Sequence, residues 1–191
     1  IPQVSRILAA CQAEGYTHAL LLGMGGSSLA PEVLRIAFGV QQANGRPALD
    51  LAILDSTDPA QVRSAARRAP MAKTLYIVAS KSGSTSETQA HLAYFWNRTV
   101  RGLGKTKAGN HFVAITDSGS IVEKQARERG FRDAILADPN EGGRYSALIA
   151  FGMLPAALLG LDLKLWLERA AGLMKVSLPS VPAARNPGLV L

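Results

Sequence analysis

The stretch that decides the fold reads VASKSGSTSET, Val78 to Thr88, and it closes the apolar run TLYIVA at 74–79. Seven of its eleven residues are Ser, Thr or Glu, set around one lysine and one glycine. Nearly continuous apolar character over five or six residues suits a strand buried on both faces, as in a parallel sheet. A buried strand that ends in hydroxyls has two readings. It is a polar turn with Thr85 or Ser86 as a helix cap, or it is a cradle for an anion. Ser80, Ser82, Ser84, Thr85 and Thr88 can all donate, Gly83 permits a bend that gathers amides inward, and Glu87 falls in the first turn of the next helix. Hydroxyls and amides at a helix N-terminus match a phosphate monoester in geometry and charge.

Outward from this stretch the same grammar repeats. Strands are expected at HALLLG (18–23), LDLAIL (49–54), FVAIT (112–116) and DAILA (133–137). Helices are expected at Ser5–Glu14, Pro31–Phe38, Pro59–Ala69, Glu87–Arg101, Ser120–Arg129, Ser146–Leu159 and Leu163–Met174. Asp58 before Pro59, and Ser118 or Ser120, mark helix starts. RGLGKTKAGN (101–110) reads as a flexible loop. Alternating strands and helices imply a doubly wound α/β domain with a five-stranded, mainly parallel sheet flanked by helices. One domain is expected over residues 1–178, with PSVPAARNPG and its neighbours, 179–191, as a linker towards a missing second subdomain.

The composition narrows the class. Of 191 residues, 48% are hydrophobic and 18% charged, as in globular proteins. The net charge of +7 comes from 14 Arg and 7 Lys against 14 acids. Those cations are scattered, with small clusters at Arg67–Arg68, Lys105–Lys107 and Arg127–Arg129 and no interleaved aromatics, which favours a solvated surface over nucleic acid. Cys11 is the only cysteine, so there is no disulfide framework or cysteine zinc site, and a reducing cytoplasm fits. The longest apolar run, Ala147 to Leu161, is interrupted by Gly152, Pro155 and Gly160 and is too short to span a membrane. A start at Ile1 and an end in ARNPGLVL read as a piece of a longer polypeptide.

In open parallel sheets ligands sit beyond the carboxyl ends of the strands. After the first strand comes GMGGSSLAPE (23–32), where Gly23, Gly25 and Gly26 allow a sharp turn and Ser27 and Ser28 open a helix. A dinucleotide fingerprint is a weaker alternative: Ser28 stands at its third glycine position, with Asp50 or Asp55 as the ribose acid. A tight strand–helix turn without a ligand is another. After the fifth strand comes DPNEGGRYSALIAFGMLPAALLG (138–160). Arg144 at a helix start opposes the dipole, which suggests that it holds an anion or a developing charge; an ordinary surface arginine is the alternative.

These three segments together resemble the phosphoglucose isomerase family, of the sugar isomerase (SIS), flavodoxin-like fold group. GMGGSSLAPE resembles that family's G-x-G-G-S-x-L-x-P loop, SKSGSTSET its phosphate loop, and GGRYSALIAFGMLPAAL its G-G-R-[FY]-S segment. Order and spacing agree over essentially the whole chain. The SGST form resembles bacterial members, including those fused behind a transaldolase. The resemblance implies interconversion of glucose 6-phosphate and fructose 6-phosphate through an enediol(ate), without a cofactor or a metal. It implies that Gly25, Gly26 and Ser27 contact the sugar or its phosphate. By the same resemblance Ser80, Ser82, Thr85 and Thr88 bind the phosphate, Lys81 adds charge nearby, and Arg144 is the catalytic, enediolate-stabilising residue.

The family's catalytic glutamate, histidine and lysine belong to motifs beyond residue 191. Glu141 does not match that glutamate, and His18, His91 and His111 read as structural. The implied partners are a sugar-phosphate substrate and a second SIS subdomain of the same polypeptide, with room for a homodimer and with neither nucleic acid nor membrane. A non-catalytic phosphosugar sensor of the same fold is the competing function, because a sensor needs phosphate grip but has no enediolate to stabilise.

Overall fold

The computed structural model describes residues 1–43, 46–138 and 140–190. Five parallel strands form the central sheet: β1 (His18–Gly23), β4 (Asp50–Leu54), β5 (Thr74–Ala79), β6 (Phe112–Asp117) and β7 (Asp133–Ala137). Their order is β4-β1-β5-β6-β7. Between β1 and β4 lies a small antiparallel pair, β2 (Gln42–Ala43) and β3 (Arg46–Pro47), which the sequence reading did not contain. Counted along the chain, the large sheet has the order 2-1-3-4-5. Its direction of winding therefore reverses between β1 and β5, which opens a crevice at their carboxyl ends.

Period-two alternation sorts the strand residues onto two cores. Leu21, Leu75, Ile77, Val113 and Ile115 face one side, against α1 (Pro2–Ala13), α2 (Gly26–Phe38), α7 (Ala150–Leu158) and Leu163 at the start of α8 (Leu163–Val176). Leu20, Leu22, Tyr76, Val78 and Phe112 face the other, against α3 (Pro59–Arg68), α4 (Ser86–Leu103) and α6 (Ile121–Glu128). On that side Tyr76 stacks on Phe112 at 4.9 Å, and Phe112 on Phe131 at 5.1 Å. Every residue of β5 is buried, as a central strand covered by helices on both faces requires.

Three expectations change. The second helix begins at Gly26 rather than Pro31, because Gly25 adopts φ +53° and its carbonyl accepts from Ser28 and Leu29 amides at once. The stretch 101–110 is not a loop. α4 runs to Leu103, Gly104 ends it at φ +83°, and α5 (Lys105–Ala108) and a 3-10 turn follow. Gly109 packs so closely that an added Cβ would lie 2.0 Å from the Gly130 carbonyl oxygen.

The segment expected as one helix from Ser146 is split. A 3-10 turn, Gly143–Leu148, hands over at Ile149 to α7, and Gly152 backs onto the carbonyl of Ala147. Within 179–190 the chain forms a 3-10 turn (Ala183–Arg185) and a short helix, α9 (Pro187–Val190). There Asn186 is buried and donates to the Leu178 carbonyl at 3.1 Å.

The histidines are held as structural groups. His91 bonds the Ser56 carbonyl at 3.0 Å and His111 that of Thr74 at 3.1 Å; burial pushes both below the usual histidine range. Asp50 lies opposite His18, at the amino end of the sheet. It is a strand length away from Gly23 and cannot serve a ligand at the glycine loop.

Candidate functional site

β1 and β5 are neighbours in register, Gly23 beside Ala79, so the two glycine–serine loops emerge side by side at the crevice. Gly23 fits tightly there: an added Cβ would stand 3.1 Å from the Ala79 carbonyl oxygen. Each loop runs directly into a helix, α2 or α4, whose N-terminus carries about half a positive charge from its aligned peptides.

How those N-termini are finished separates the two readings of the opening stretch. In α3, Asp58 accepts from the amides of Ala60 and Gln61, both at 2.9 Å. In α6, Ser120 accepts from the amide of Glu123 at 3.0 Å. Thr85 makes no such bond at α4, and Gly25 has no side chain to make one at α2. At α4 the first amides meet no acceptor among the described residues, whereas at α2 the Ser27 and Ser28 amides already bond the Met24 and Gly25 carbonyls at 3.1 and 3.0 Å, which leaves the Gly26 amide for an external acceptor. Thr85 is not the cap that the polar-turn reading needs.

The hydroxyls divide by burial. Ser80 is 3% exposed; its amide donates to the Ile115 carbonyl at 3.0 Å and its Oγ to Thr85 Oγ1 at 3.3 Å. Ser82 and Ser84 are exposed and share a hydrogen bond of 3.0 Å. Thr88 is 1% exposed, with an Oγ1 that finds no partner among the described residues. A buried hydroxyl without a partner is costly, by about 1–3 kcal/mol, unless a ligand or water supplies one.

Gly83 shapes the loop. It adopts φ +71° and lies against Ser120 of the neighbouring loop. Its carbonyl accepts from Gln89 Nε2 at 2.8 Å, and Gln89 in turn pairs with Gln125 of α6.

Lys81 is paired across the sheet. Its ammonium donates to Asp117 Oδ1 at 3.0 Å and to the Asp138 carbonyl at 2.9 Å, while the Asp117 amide returns a bond to the Lys81 carbonyl at 2.9 Å. The lysine therefore ties the loop after β5 to the ends of β6 and β7, with its charge matched by a carboxylate. The third segment joins on the other side, where buried Ser146 donates to the Gly26 carbonyl at 3.0 Å. Through these two contacts all three segments become one assembly.

Gly25 is exposed in it, and Gly26 and Ser27 are half-buried at the start of α2. Arg144 has its backbone in the 3-10 turn two residues before Ser146; its side chain lies outside the described residues. Asp117, Gln89 and Ser146 are the supporting residues that sequence reading missed. Asp117 had a signal, since it closes a strand on the same edge of the sheet as the two loops. Among the described residues no group of three or more His, Cys, Asp or Glu is placed to hold a metal ion, and no helix is long and apolar enough to cross a membrane.

The family model described as phosphoglucose isomerase matches residues 9–186. A glucose-6-phosphate isomerase from Synechococcus sp. (strain JA-3-3Ab) is 36% identical over 183 residues, covering 92% of this chain and 32% of that protein. The chloroplastic glucose-6-phosphate isomerase 1 of Arabidopsis thaliana is 36% identical over 180 residues, covering 92% of this chain and 28% of its own length. The chain thus spans about a third of the curated relatives it matches. Among solved structures, a hypothetical protein from Thermus thermophilus superposes with a TM-score of 0.83 at 31% identity, over 98% of this chain and 43% of that one. A glucose-6-phosphate isomerase from Chlamydia trachomatis superposes with a TM-score of 0.80 over 99% of this chain and 36% of its own; at 24% identity it shows the shared fold alone.

Proposed function

The chain belongs to the phosphoglucose isomerase family, and on that premise we propose that it is the phosphosugar-binding part of a glucose-6-phosphate isomerase. The observation that carries this reading is the pair of helix N-termini without a side-chain cap, α2 and α4, facing one crevice with their hydroxyl loops. A phosphate dianion there accepts from open amides and from Ser80, Ser82, Thr85 and Thr88, and gains from both helix dipoles. Gly25, Gly26 and Ser27 line the other wall, where the absence of a Cβ at Gly25 and Gly26 lets the sugar approach the backbone. Lys81 acts through its ties to Asp117 and Asp138, which hold the loop in place.

Isomerisation moves a proton between C2 and C1 of the open-chain sugar and develops negative charge on its oxygens. Arg144 stabilises that enediolate, a role that rests on its match to the family's G-G-R segment. The base and the ring-opening groups come from outside residues 1–191, since proton transfer needs a positioned group within hydrogen-bond reach. Residues 1–178 form the binding domain in this reading, and 179–191 lead towards a second subdomain of a longer cytoplasmic polypeptide.

Titration calorimetry of residues 1–191 with 6-phosphogluconate, a stable aldonate analogue, tests the reading. Weak binding without isomerase turnover is expected. Ser80→Ala with Thr85→Ala weakens binding, at about 0.5–1.5 kcal/mol per neutral hydrogen bond lost and more where the acceptor is charged. Unchanged affinity in the double variant removes this loop as the cradle.

A further inference from the structure

The helix that leaves the glycine loop carries more apolar surface than a solvated helix needs. On α2, Leu29, Val33 and Ile36 follow one another at i, i+4 and i+7, along one face, and are 59%, 56% and 70% exposed. The polar residues of the helix, Glu32 and Arg35, satisfy each other at 2.7 Å. Beside the ridge runs a groove of about 350 Å³ between α2, the 3-10 turn and α8, lined by Leu29, Ala30, Val33, Leu34, Ala147 and Trp166. Tyr145 and Leu148, next to the groove's Ser146 and Ala147 in the chain, are 77% and 45% exposed. Soluble monomers rarely leave contiguous apolar surface of this kind open. A ridge beside a groove is the form into which another helix packs.

We propose that the α2 ridge and this groove are where the remainder of a longer polypeptide, lying outside residues 1–191, packs through an apolar helix. The proposal rests on the isomerase reading above. Two observations select this occupant. More than two thirds of the length of the Synechococcus and Arabidopsis relatives lies outside the match, since the chain covers 32% and 28% of them. The groove is also continuous with the candidate site, because Gly26 and Ser146 line both. A domain seated there brings its side chains to the edge of the crevice at Gly26 and Ser146.

Hydrogen exchange read by mass spectrometry, on residues 1–191 alone and on the intact native polypeptide, tests the surface. Peptides spanning 26–38 are expected to exchange about tenfold more slowly, or slower still, in the intact protein, a change equivalent to about 1.4 kcal/mol of added protection. Val33→Asp or Ile36→Asp removes that protection and lowers turnover of the intact protein. In residues 1–191 the same substitutions leave affinity for 6-phosphogluconate unchanged. Equal exchange in the two forms overturns the proposal, as does an intact polypeptide no longer than residues 1–191. Sedimentation of residues 1–191 as a dimer that Ile36→Asp dissolves also overturns it, by assigning the face to a second copy. Absence of 6-phosphogluconate binding in both forms sinks the phosphosugar reading instead and leaves the exchange result to be judged separately.

Discussion

Replacing Gly83 by alanine probes the phosphate loop where backbone conformation and packing coincide. Gly83 adopts φ +71°, and an added Cβ would lie 2.8 Å from Ser120 Cβ and 3.1 Å from the Val122 amide nitrogen. Gly15, just after α1, adopts φ +73° with nothing within 4 Å of such a Cβ, so it isolates the backbone cost from the clash. The left-handed conformation costs a side-chain-bearing residue about 1–2 kcal/mol. Against that stands a gain of about 0.4–1 kcal/mol from a stiffer unfolded chain. Gly15→Ala should therefore lose about 0–1.5 kcal/mol. At Gly83 the clash adds about 1–3 kcal/mol, because Ser120 and Val122 sit at the start of α6 and yield only with the backbone. The expected total for Gly83→Ala is about 1–4.5 kcal/mol. Urea denaturation of both variants gives the difference, and 6-phosphogluconate titration gives its functional image. Gly83→Ala should weaken binding by pushing the loop away from α6, whereas Gly15→Ala, beyond the end of α1, should not. Equal stability of the two variants, or unaltered binding in Gly83→Ala, would refute the account of this loop as a cradle braced on α6.

In the intact protein Arg144→Ala should lower turnover by about 10²–10³ at nearly constant phosphosugar affinity, by analogy with the loss of one preorganised oxyanion donor. A collapse of affinity with normal turnover of the remaining complex makes Arg144 a phosphate clamp instead. Cys11 is fully buried and its thiol is pushed up to about 11 by desolvation, so a thiol reagent at about pH 8 should react only through unfolding; rapid modification of the native chain contradicts its place in the core. Hydrogen bonds from Arg132 hold the Glu14 carboxyl below its usual range, so the pair's contribution is present above about pH 4.3 and is lost as pH falls through the lowered folded value. Glu14→Gln should flatten that acid limb. Burial keeps His91 and His111 neutral in the fold, so stability should decline as pH drops below about 6.5, where the unfolded chain takes up protons first. His111→Gln should reduce the slope between about pH 7 and 5, and an unchanged slope excludes His111 as one of its sources.

Strand positions were legible because burial on both faces leaves a local mark. TLYIVA and HALLLG are continuous apolar runs, and the structure places strands at 74–79 and 18–23. Helix ends were legible where a side chain makes them, at Asp58 and Ser120. They were misjudged where backbone freedom decides, at Gly25 and across Gly104, because a glycine's sign of φ is not written in its neighbours. The stretch 101–110 looked like a loop for its glycines and lysines. What orders it is the close approach of Gly109 to Gly130, a contact between residues far apart in the chain.

The three motifs, their order and their chemistry were set by sequence alone, since a hydroxyl-rich loop after a buried strand is a local arrangement of residue types. What only tertiary structure decided is which of those groups are free to act. Lys81 reads in sequence as charge near the phosphate; it is the folding of β6 and β7 beside β5 that brings Asp117 and the Asp138 carbonyl within 3.0 Å of its ammonium. Thr85 looked like a helix cap until the path of the loop turned its hydroxyl towards Ser80 and left the amides of α4 open. Local propensity ranks the options of each side chain. The choice among them falls to partners that arrive from distant strands, whose positions depend on the winding of the sheet as a whole.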